Sequence, residues 1–377
     1  MMKPLIKWPG GKAAEISKFL QYVPEYERYI EPFAGGAALY FYLEPERAVL
    51  NDTSEDLMEF YMLLQSRDPE LRENLILCRD TFAALLKECG MHSSHLRMLF
   101  DICVSADEKG DDLRPLALHE HLTREIAGHP SVLSRMIPDR EAYLRIMTDS
   151  VGDKLFRTVR NHRKKPFPDK DIRDNLVTGF ASGYYLYFRD VFNRIRSGAL
   201  EETPAFRAAN FYFVREYCYG SMFRYNRQGE FNIPYGGVSY NKKDFGAKID
   251  RMYQDNVLSL FERTQFCCED FETFTDRLEL TEKDFMFLDP PYDTDFSDYE
   301  GKSFGKEDHI RLARLLDRTR AQFLLVIKNT GFISELYGDK FRIVHFDNRY
   351  SYNVRSRNDR DAEHLIITNI PEVKTQE

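Results

Sequence analysis

The sequence has no Cys-x-x-Cys pair, a single tryptophan, no excess of positive charge and no long apolar run. Each absence excludes something. Cys78, Cys89, Cys103, Cys218, Cys267 and Cys268 lack metal-ligand spacing, so reduced, mostly buried thiols are expected rather than a disulfide frame or a zinc ribbon. No stretch of about 18 apolar residues occurs, so no transmembrane helix and no membrane partner are expected. The first residues, Met1-Met2-Lys3-Pro4-Leu5-Ile6-Lys7-Trp8, lack the apolar core of a signal peptide, and a cytoplasmic protein is expected. The nine histidines form no His-x-x-x-His pair beside an acid, and no metal is expected. Lys and Arg number 53 against 61 Asp and Glu, a net charge of -8. That argues against a protein that coats nucleic acid, while leaving room for local basic patches.

What is present is a globular composition. Of 377 residues, 43% are hydrophobic and 30% charged, enough for one large domain or two ordinary ones. The 22 tyrosines and 29 phenylalanines exceed what a core needs and leave rings for stacking on bases.

Several short strands end in acids or glycines. Tyr29-Ile30 runs into Glu31-Pro32-Phe33-Ala34-Gly35-Gly36-Ala37, the layout of a nucleotide-binding first strand-helix unit. It is neither Gly-x-Gly-x-x-Gly nor Gly-Lys-Ser/Thr, so a phosphate cradle is disfavoured. A glycine-lined pocket rimmed by Glu31 suits a cationic ligand, such as a sulfonium. Ala48-Val49-Leu50-Asn51-Asp52 is a second strand ending in an acid, placed to accept bonds from ribose hydroxyls and also next to a helix start at 53–56. Gln265 to Phe271 is a third, with Asp270 and Phe271 available to an adenine by hydrogen bond and stacking. Phe285 to Leu288 is a buried strand stopped by Asp289-Pro290-Pro291-Tyr292, since two prolines cannot continue a ladder. Phe323 to Ile327, Phe341 to Phe346 and Glu363 to Asn369 read as further strands, the last two as an antiparallel return. Before the first strand, Lys7-Trp8-Pro9-Gly10-Gly11-Lys12 is a tight polar turn followed by a helix over 13–22; a second clear helix spans 306–319.

Two stretches lie outside this strand pattern. Residues 53–200 read as helical, with breaks at Gly110, Gly128-His129-Pro130, Pro138 and Pro166-Phe167-Pro168. Within them, Lys154 to Lys165 carries six Lys and Arg and no acid: a solvated helix face or a phosphate-contacting patch. Residues 211–245 hold eleven aromatics interleaved with basic residues, and Arg227-Gln228-Gly229 reads as the tip of a turn between two extended arms. Such a hairpin either packs on the core or inserts into a duplex and reads guanine edges.

Taken in order, these motifs resemble those of the Dam-like DNA adenine methylase family, in its alpha arrangement of cofactor motif, target recognition and catalytic tetrapeptide. Lys7 to Lys12, Glu31 to Gly36, Asn51-Asp52, Phe223-Arg224-Tyr225-Asn226 with Gly229 to Pro234, Asp270-Phe271 and Asp289 to Tyr292 carry the resemblance, over roughly 1–65 and 205–370. It implies a Rossmann-like α/β methyltransferase sheet with an inserted, mainly helical recognition domain bearing a β-hairpin. The expected division is 1–65 and 261–377 for the catalytic domain and 66–260 for the helical insert and target-recognition region. It implies transfer of a methyl group from S-adenosylmethionine to N6 of a flipped-out adenine in double-stranded DNA. Asp289, Pro290 and Tyr292 are the expected catalytic residues. Lys7, Trp8, Gly10, Gly11, Lys12, Glu31, Pro32, Phe33, Gly35, Gly36, Asp52, Asp270, Phe271 and Asp289 are the expected cofactor residues. Tyr219, Met222, Arg224, Asn226, Arg227, Pro234 and Tyr235 are expected at DNA, with Tyr219 and Met222 where the base is displaced and Arg224 on a guanine. A cognate restriction nuclease or other defence-system subunits are the expected protein partners.

Two departures stand out. Gly220 occupies a position where the Dam pattern usually has asparagine, which leaves a GATC target open. About 100 residues, roughly 80–180, have no counterpart in short family members. The alternatives are an enzyme of the same fold acting on RNA or a protein glutamine, and an inactive DNA-binding relative.

Overall fold

The computed structural model describes residues 2–109, 117–222, 224–291, 298–299, 302–349 and 361–371. Two units emerge, one joining residues 1–66 to 253–377 and one formed by 67–252.

The first unit is built on strands too apolar to face water. β1 (Arg28–Glu31), β2 (Ala48–Asn51), β3 (Thr264–Cys267), β4 (Asp284–Leu288), β7 (Gln322–Lys328), β8 (Arg342–Arg349) and β9 (Asp361–Thr368) form one sheet in the order β3-β2-β1-β4-β7-β9-β8. A separate two-residue ladder joins β5 (Asp298–Tyr299) to β6 (Lys302–Ser303). The first five strands of the sheet are parallel; β9 runs antiparallel to β7 and to β8. Parallel strands are covered on both faces and read as continuous apolar runs, as β4 and the middle of β7 do. Around them lie α1 (Ile16–Phe19), α2 (Ala38–Leu43) and α3 (Glu55–Gln65) near the N-terminus, then α11 (Asp255–Glu262), α12 (Phe271–Asp276), α13 (Lys306–Arg318) and α14 (Gly331–Tyr337). One face of the sheet buries Ile30, Met286, Leu288, Leu325 and Ile327 against Leu312, Leu316 and Ile333 of α13 and α14. At the start of β1, Arg28 grips Asp284 of β4 with two bonds of 2.7 and 2.8 Å. The helix expected over 13–22 is broken into short 3-10 turns flanking α1.

The second unit is helical: α4 (Pro69–Met91), α5 (Ser93–Lys109), α6 (Ala117–Ala127), α7 (Arg140–Lys164), α8 (Asp169–Arg196), α9 (Pro204–Tyr217) and α10 (Phe245–Met252). Asp68 and Asp139 cap α4 and α7 by accepting backbone N–H groups, and prolines open α4 and α9 at positions that need no donor. Pro130, Pro138 and Pro166 fall between helices, whereas Gly110 lies outside the described residues. α7 and α8 pack closely because Gly179 and Gly183 leave room: a Cβ there would come within 3.2 Å of Lys154 Cβ and 2.7 Å of Met147 Sδ. An aromatic cluster of Tyr184, Phe188, Phe213 and Tyr217 fills the space between α8 and α9, with centroids 4.6 to 5.6 Å apart.

The sequence division closes the insert at 260, but α11 sits in the first unit. It buries Phe261 against Tyr40, Tyr61 and Phe266, at 6.5, 5.8 and 5.0 Å between centroids.

Candidate active site

β1 and β4 are neighbours, with β2 and β3 on one side and β7 on the other. Strand order reverses between them, and their C-terminal ends open a crevice of the kind that binds ligands in doubly wound sheets. Here that crevice is a cleft of about 220 Å³ whose lining comes entirely from the first unit. The run after β1 and the run after β4 face into it, so Glu31 and Asp289 share one cavity although they lie 258 positions apart in sequence.

The N-terminal turn closes one wall. Trp8 lies against Gly35 and Gly36: a Cβ on Gly35 would meet Trp8 Cδ1 at 2.7 Å, and one on Gly36 would meet Trp8 Cβ at 3.2 Å. The sequence suggests these glycines admit a ligand; their first structural use is to admit the indole. Gly35 also has φ +48, which suits glycine. Ala37 has φ 51 and ψ 47, a left-handed conformation that an alanine adopts only at a cost.

Lys12 is 1% exposed, and its ammonium bonds Asp289 Oδ1 and the Gly10 carbonyl, the latter at 2.9 Å. Among the described residues Asp289 Oδ2 carries no hydrogen bond. Burial raises the Asp289 carboxyl above the ordinary range, while Lys12 pulls it back down by charge and by hydrogen bond. Glu31 is buried and accepts the Tyr29 hydroxyl at 3.2 Å. Burial pushes its carboxyl far up, the Tyr29 hydrogen bond opposes this, and the negative charges of Asp289 and Asp52 raise it further. The cavity gathers several carboxyl groups and one ammonium, a lining in which an added cation would favour the ionised carboxylates.

Asp52 accepts the Gly35 N–H at 2.8 Å and the Ser54 N–H at 3.0 Å, so its carboxylate orders both the glycine turn and the start of α3 while lining the cleft. Asn51, fully buried, donates to the Pro32 and Glu269 carbonyls at 3.1 and 2.9 Å and accepts the Glu269 N–H at 2.9 Å. One side chain thus ties the loops after β1, β2 and β3. Asp270 caps α12 through the Glu272 N–H at 3.0 Å and accepts from Arg311 at 2.6 Å. Arg311 also bonds Glu272 and Asp308, each at 2.9 Å, and lies 4.8 Å over the Phe271 ring. Phe33, Phe271 and Phe304 form an aromatic cluster on the wall, 5.3 to 5.8 Å apart.

The cleft therefore gathers Trp8, Gly10, Gly11, Lys12, Glu31, Phe33, Gly35, Gly36, Asp52, Asp270, Phe271, Asp289 and Pro290. It does not gather Lys7, which is exposed, or Pro32, whose carbonyl is spent on Asn51. Tyr292 lies outside the described residues. Sequence reasoning misses Arg311, Asp308 and Phe304. They sit in or beside a helix with nothing but its amphipathic pattern to mark it. Asn51 is visible only as part of a motif.

The hairpin belongs to the second unit. Two antiparallel bridges, Cys218 with Tyr235 and Tyr225 with Phe231, frame a tip at Arg227-Gln228-Gly229. One arm lies on α8: Tyr185 and Arg189 donate to the Ile233 carbonyl at 2.8 and 3.0 Å, and Asn193 exchanges bonds with Phe231. The hairpin therefore packs on the core along one arm and leaves its tip exposed. Phe231, Ile233 and Tyr235 are buried, and Arg224, Arg227 and Pro234 are exposed. Tyr235 does not face solvent: its hydroxyl donates to Asn241 and its ring packs on Tyr185 and Tyr217. Asn226 is consumed by the turn, accepting Gln228 and Glu230 N–H groups and donating to Glu230. Tyr219 is 40% exposed beside two left-handed residues, Gly220 and Ser221, at φ 64 and 52. Glycine at 220 adopts that conformation without strain. The buried Arg215, unmarked in the sequence, braces this turn by donating to the Ser221 and Met222 carbonyls at 3.1 and 3.0 Å.

Comparison with known proteins bears on this site. The family model described as D12 class N6 adenine-specific DNA methyltransferase matches residues 8–88 and 155–352. The chain is 26% identical to the type II methyltransferase M.CviBI of Paramecium bursaria Chlorella virus NC1A, covering 98% of this chain and all of that one. It is 26% identical to the type II methyltransferase M.MjaIII of Methanocaldococcus jannaschii over 89% of this chain and 88% of the relative. It is 20% identical to a DNA adenine methylase of Vibrio cholerae, over 99% and 98%.

Proposed function

The chain belongs to the D12 class N6 adenine-specific DNA methyltransferase family and is an adenine-specific DNA methyltransferase; from that premise we propose which groups do the work and what donates the methyl. The donor is S-adenosylmethionine, held by Trp8, Lys12, Glu31, Phe33, Asp52, Asp270 and Phe271. The observation that carries this is the buried carboxyl of Glu31 in a cavity shared with Asp52 and Asp289, a lining suited to a sulfonium and an ammonium. The Phe33, Phe271 and Phe304 rings offer apolar faces for a purine. When bound, S-adenosylmethionine supplies a methyl carbon activated as an electrophile by its sulfonium.

The rest of the mechanism falls to the chain. Adenine N6 is a poor nucleophile because its lone pair is delocalised into the ring. Asp289, with Oδ2 available, and the Pro290 carbonyl each accept a hydrogen bond from the amino group. That draws N6 towards tetrahedral geometry and stabilises positive charge as it develops. Lys12 opposes the effect of burial on the Asp289 carboxyl and fixes Oδ1. The product nitrogen is strongly acidic while positively charged, so no base of raised pKa is needed. Tyr292 stacks on the displaced base. Tyr219 and Met222 fill the gap in the duplex, and Arg224 reads a guanine edge.

The enzyme acts in the cytoplasm, and a cognate nuclease or other defence subunit is its expected partner, since several relatives are named type II methyltransferases. Sequencing genomic DNA from cells expressing the chain tests this reading. N6-methyladenine confined to one short motif is the expected result; unmodified adenine throughout would refute it.

A further inference from the structure

Neither the cleft nor the hairpin uses the acid-free run from Lys154 to Lys165. It forms the C-terminal half of α7 and the residue after it. Arg157, Arg160 and Lys164 recur at i, i+3 and i+7 with Asn161 between them, one stripe about 10 Å long at 1.5 Å per residue. All four side chains are exposed, while Leu155, Thr158 and Val159 on the other face are buried.

Among the described residues, the groups facing this segment are these. On α5, Asp107 takes Arg163 at 3.2 Å, and Phe100 meets the His162 ring edge-on at 5.3 Å. His162 Nδ1 accepts the Phe167 N–H at 2.9 Å. Asp169, at the start of α8, takes Arg173 and Arg97. Among the described residues no ion pair holds Arg157, Arg160 or Lys164. The nearest acid on the helix itself is Asp153, one turn before the stripe begins. Burial first and then the charge of Arg157 hold the half-buried Lys154 ammonium below its ordinary range.

Helix electrostatics covers only part of this. A helix C-terminus favours cations in its last turn, which accounts for Lys164. Arg157 and Arg160 lie further back, where that effect has faded. On a surface of mixed charge, unpaired cations aligned on one face of an acidic protein are complementary to a polyanion, and this enzyme's substrate is one.

We propose that Arg157, Arg160 and Lys164 form a ridge that contacts DNA phosphates without regard to sequence, separate from the base-reading hairpin. The two share a scaffold. α7 lies along α8, and another face of α8 carries the hairpin through Tyr185, Arg189 and Asn193, with Asn241 bonded to Thr178 at 3.0 Å. The ridge therefore fixes how the duplex lies on the helical unit, and the hairpin reads it.

The test compares the full chain with the R157Q/R160Q/K164Q variant, measuring duplex affinity between about 50 and 200 mM salt. The slope of log Kd against log salt should fall by about 2 to 3, at about 0.9 for each phosphate that is no longer neutralised. The drop in affinity should be equal on duplexes with and without the methylation motif. S-adenosylmethionine affinity and the rate at saturating DNA should match the parent. A variant with all three positions changed to the other basic residue, R157K/R160K/K164R, should keep the parental slope. An unchanged slope in the glutamine variant would overturn the ridge, as would a drop confined to the motif-bearing duplex.

Discussion

The two units solve different problems with similar residues. The first is assembled from both ends of the chain, and Glu31 and Lys12 are withdrawn from water in one cleft that Asp52, Asp270 and Asp289 also line. The second is one continuous stretch, and Arg224, Arg227, Arg157 and Arg160 stand in solvent. In the first, burial raises the carboxyls of Glu31 and Asp289, and one neighbour of each, Tyr29 or Lys12, opposes the rise. In the second, charge is screened, and the proposed DNA contacts are individually weak and add up. Substitutions in the two units should therefore fail in different ways.

Glu31→Gln sharpens that contrast most. The native carboxyl binds its proton more tightly folded than unfolded, so stability falls as pH rises from the unfolded value of about 4.3 through the raised folded value. Glutamine removes that slope. The variant should unfold at a higher temperature than the parent at neutral pH, seen by calorimetry. It should also bind S-adenosylmethionine more weakly by about 1.5–3 kcal/mol, the range for a hydrogen bond to a charged group. Lower stability together with unchanged affinity would break the comparison, because Glu31 would then be a structural residue. Arg224→Ala should cost about 1–3 kcal/mol on duplexes carrying the guanine it reads and little on others, measured by competition binding. An equal effect on every duplex would move Arg224 to the phosphate class. Ala37→Gly should have the smallest effect: relief of a left-handed alanine, stabilising by about 1 kcal/mol or less in thermal unfolding.

Short motifs make the first unit readable. Strands buried on both faces announce themselves as apolar runs, and the residue that ends each run is forced to the crevice. That is why Glu31, Asp52, Asp270 and Asp289 can be placed from sequence. The seven-stranded, mostly parallel sheet and its antiparallel last pair follow the same logic. Supporting residues are invisible, because Arg311, Asn51 and Arg215 act through bonds to groups outside their own motifs. Arg311, for instance, reaches Asp270 across 41 positions. The hairpin is legible as a hairpin, but not which face is which. Tyr235 and Tyr219 look alike in sequence, and only packing on α8 and α9 decides that the first is buried and the second exposed. For the helical run from 53 to 200, amphipathic pattern yields helices without their pairing, since the close approach of α7 to α8 depends on two glycines that read equally well as breaks.

The proposed mechanism turns on Asp289 drawing adenine N6 into reaction. Its most direct test is methyl transfer from isotopically labelled S-adenosylmethionine to duplex DNA, with nucleosides separated afterwards, for the parent and for Asp289→Ala. The prediction is label in N6-methyladenine alone for the parent and a fall of about 10³-fold or more in the variant, with duplex affinity retained. Label appearing on another nucleoside, or a variant that still methylates adenine at near the parental rate, would contradict it.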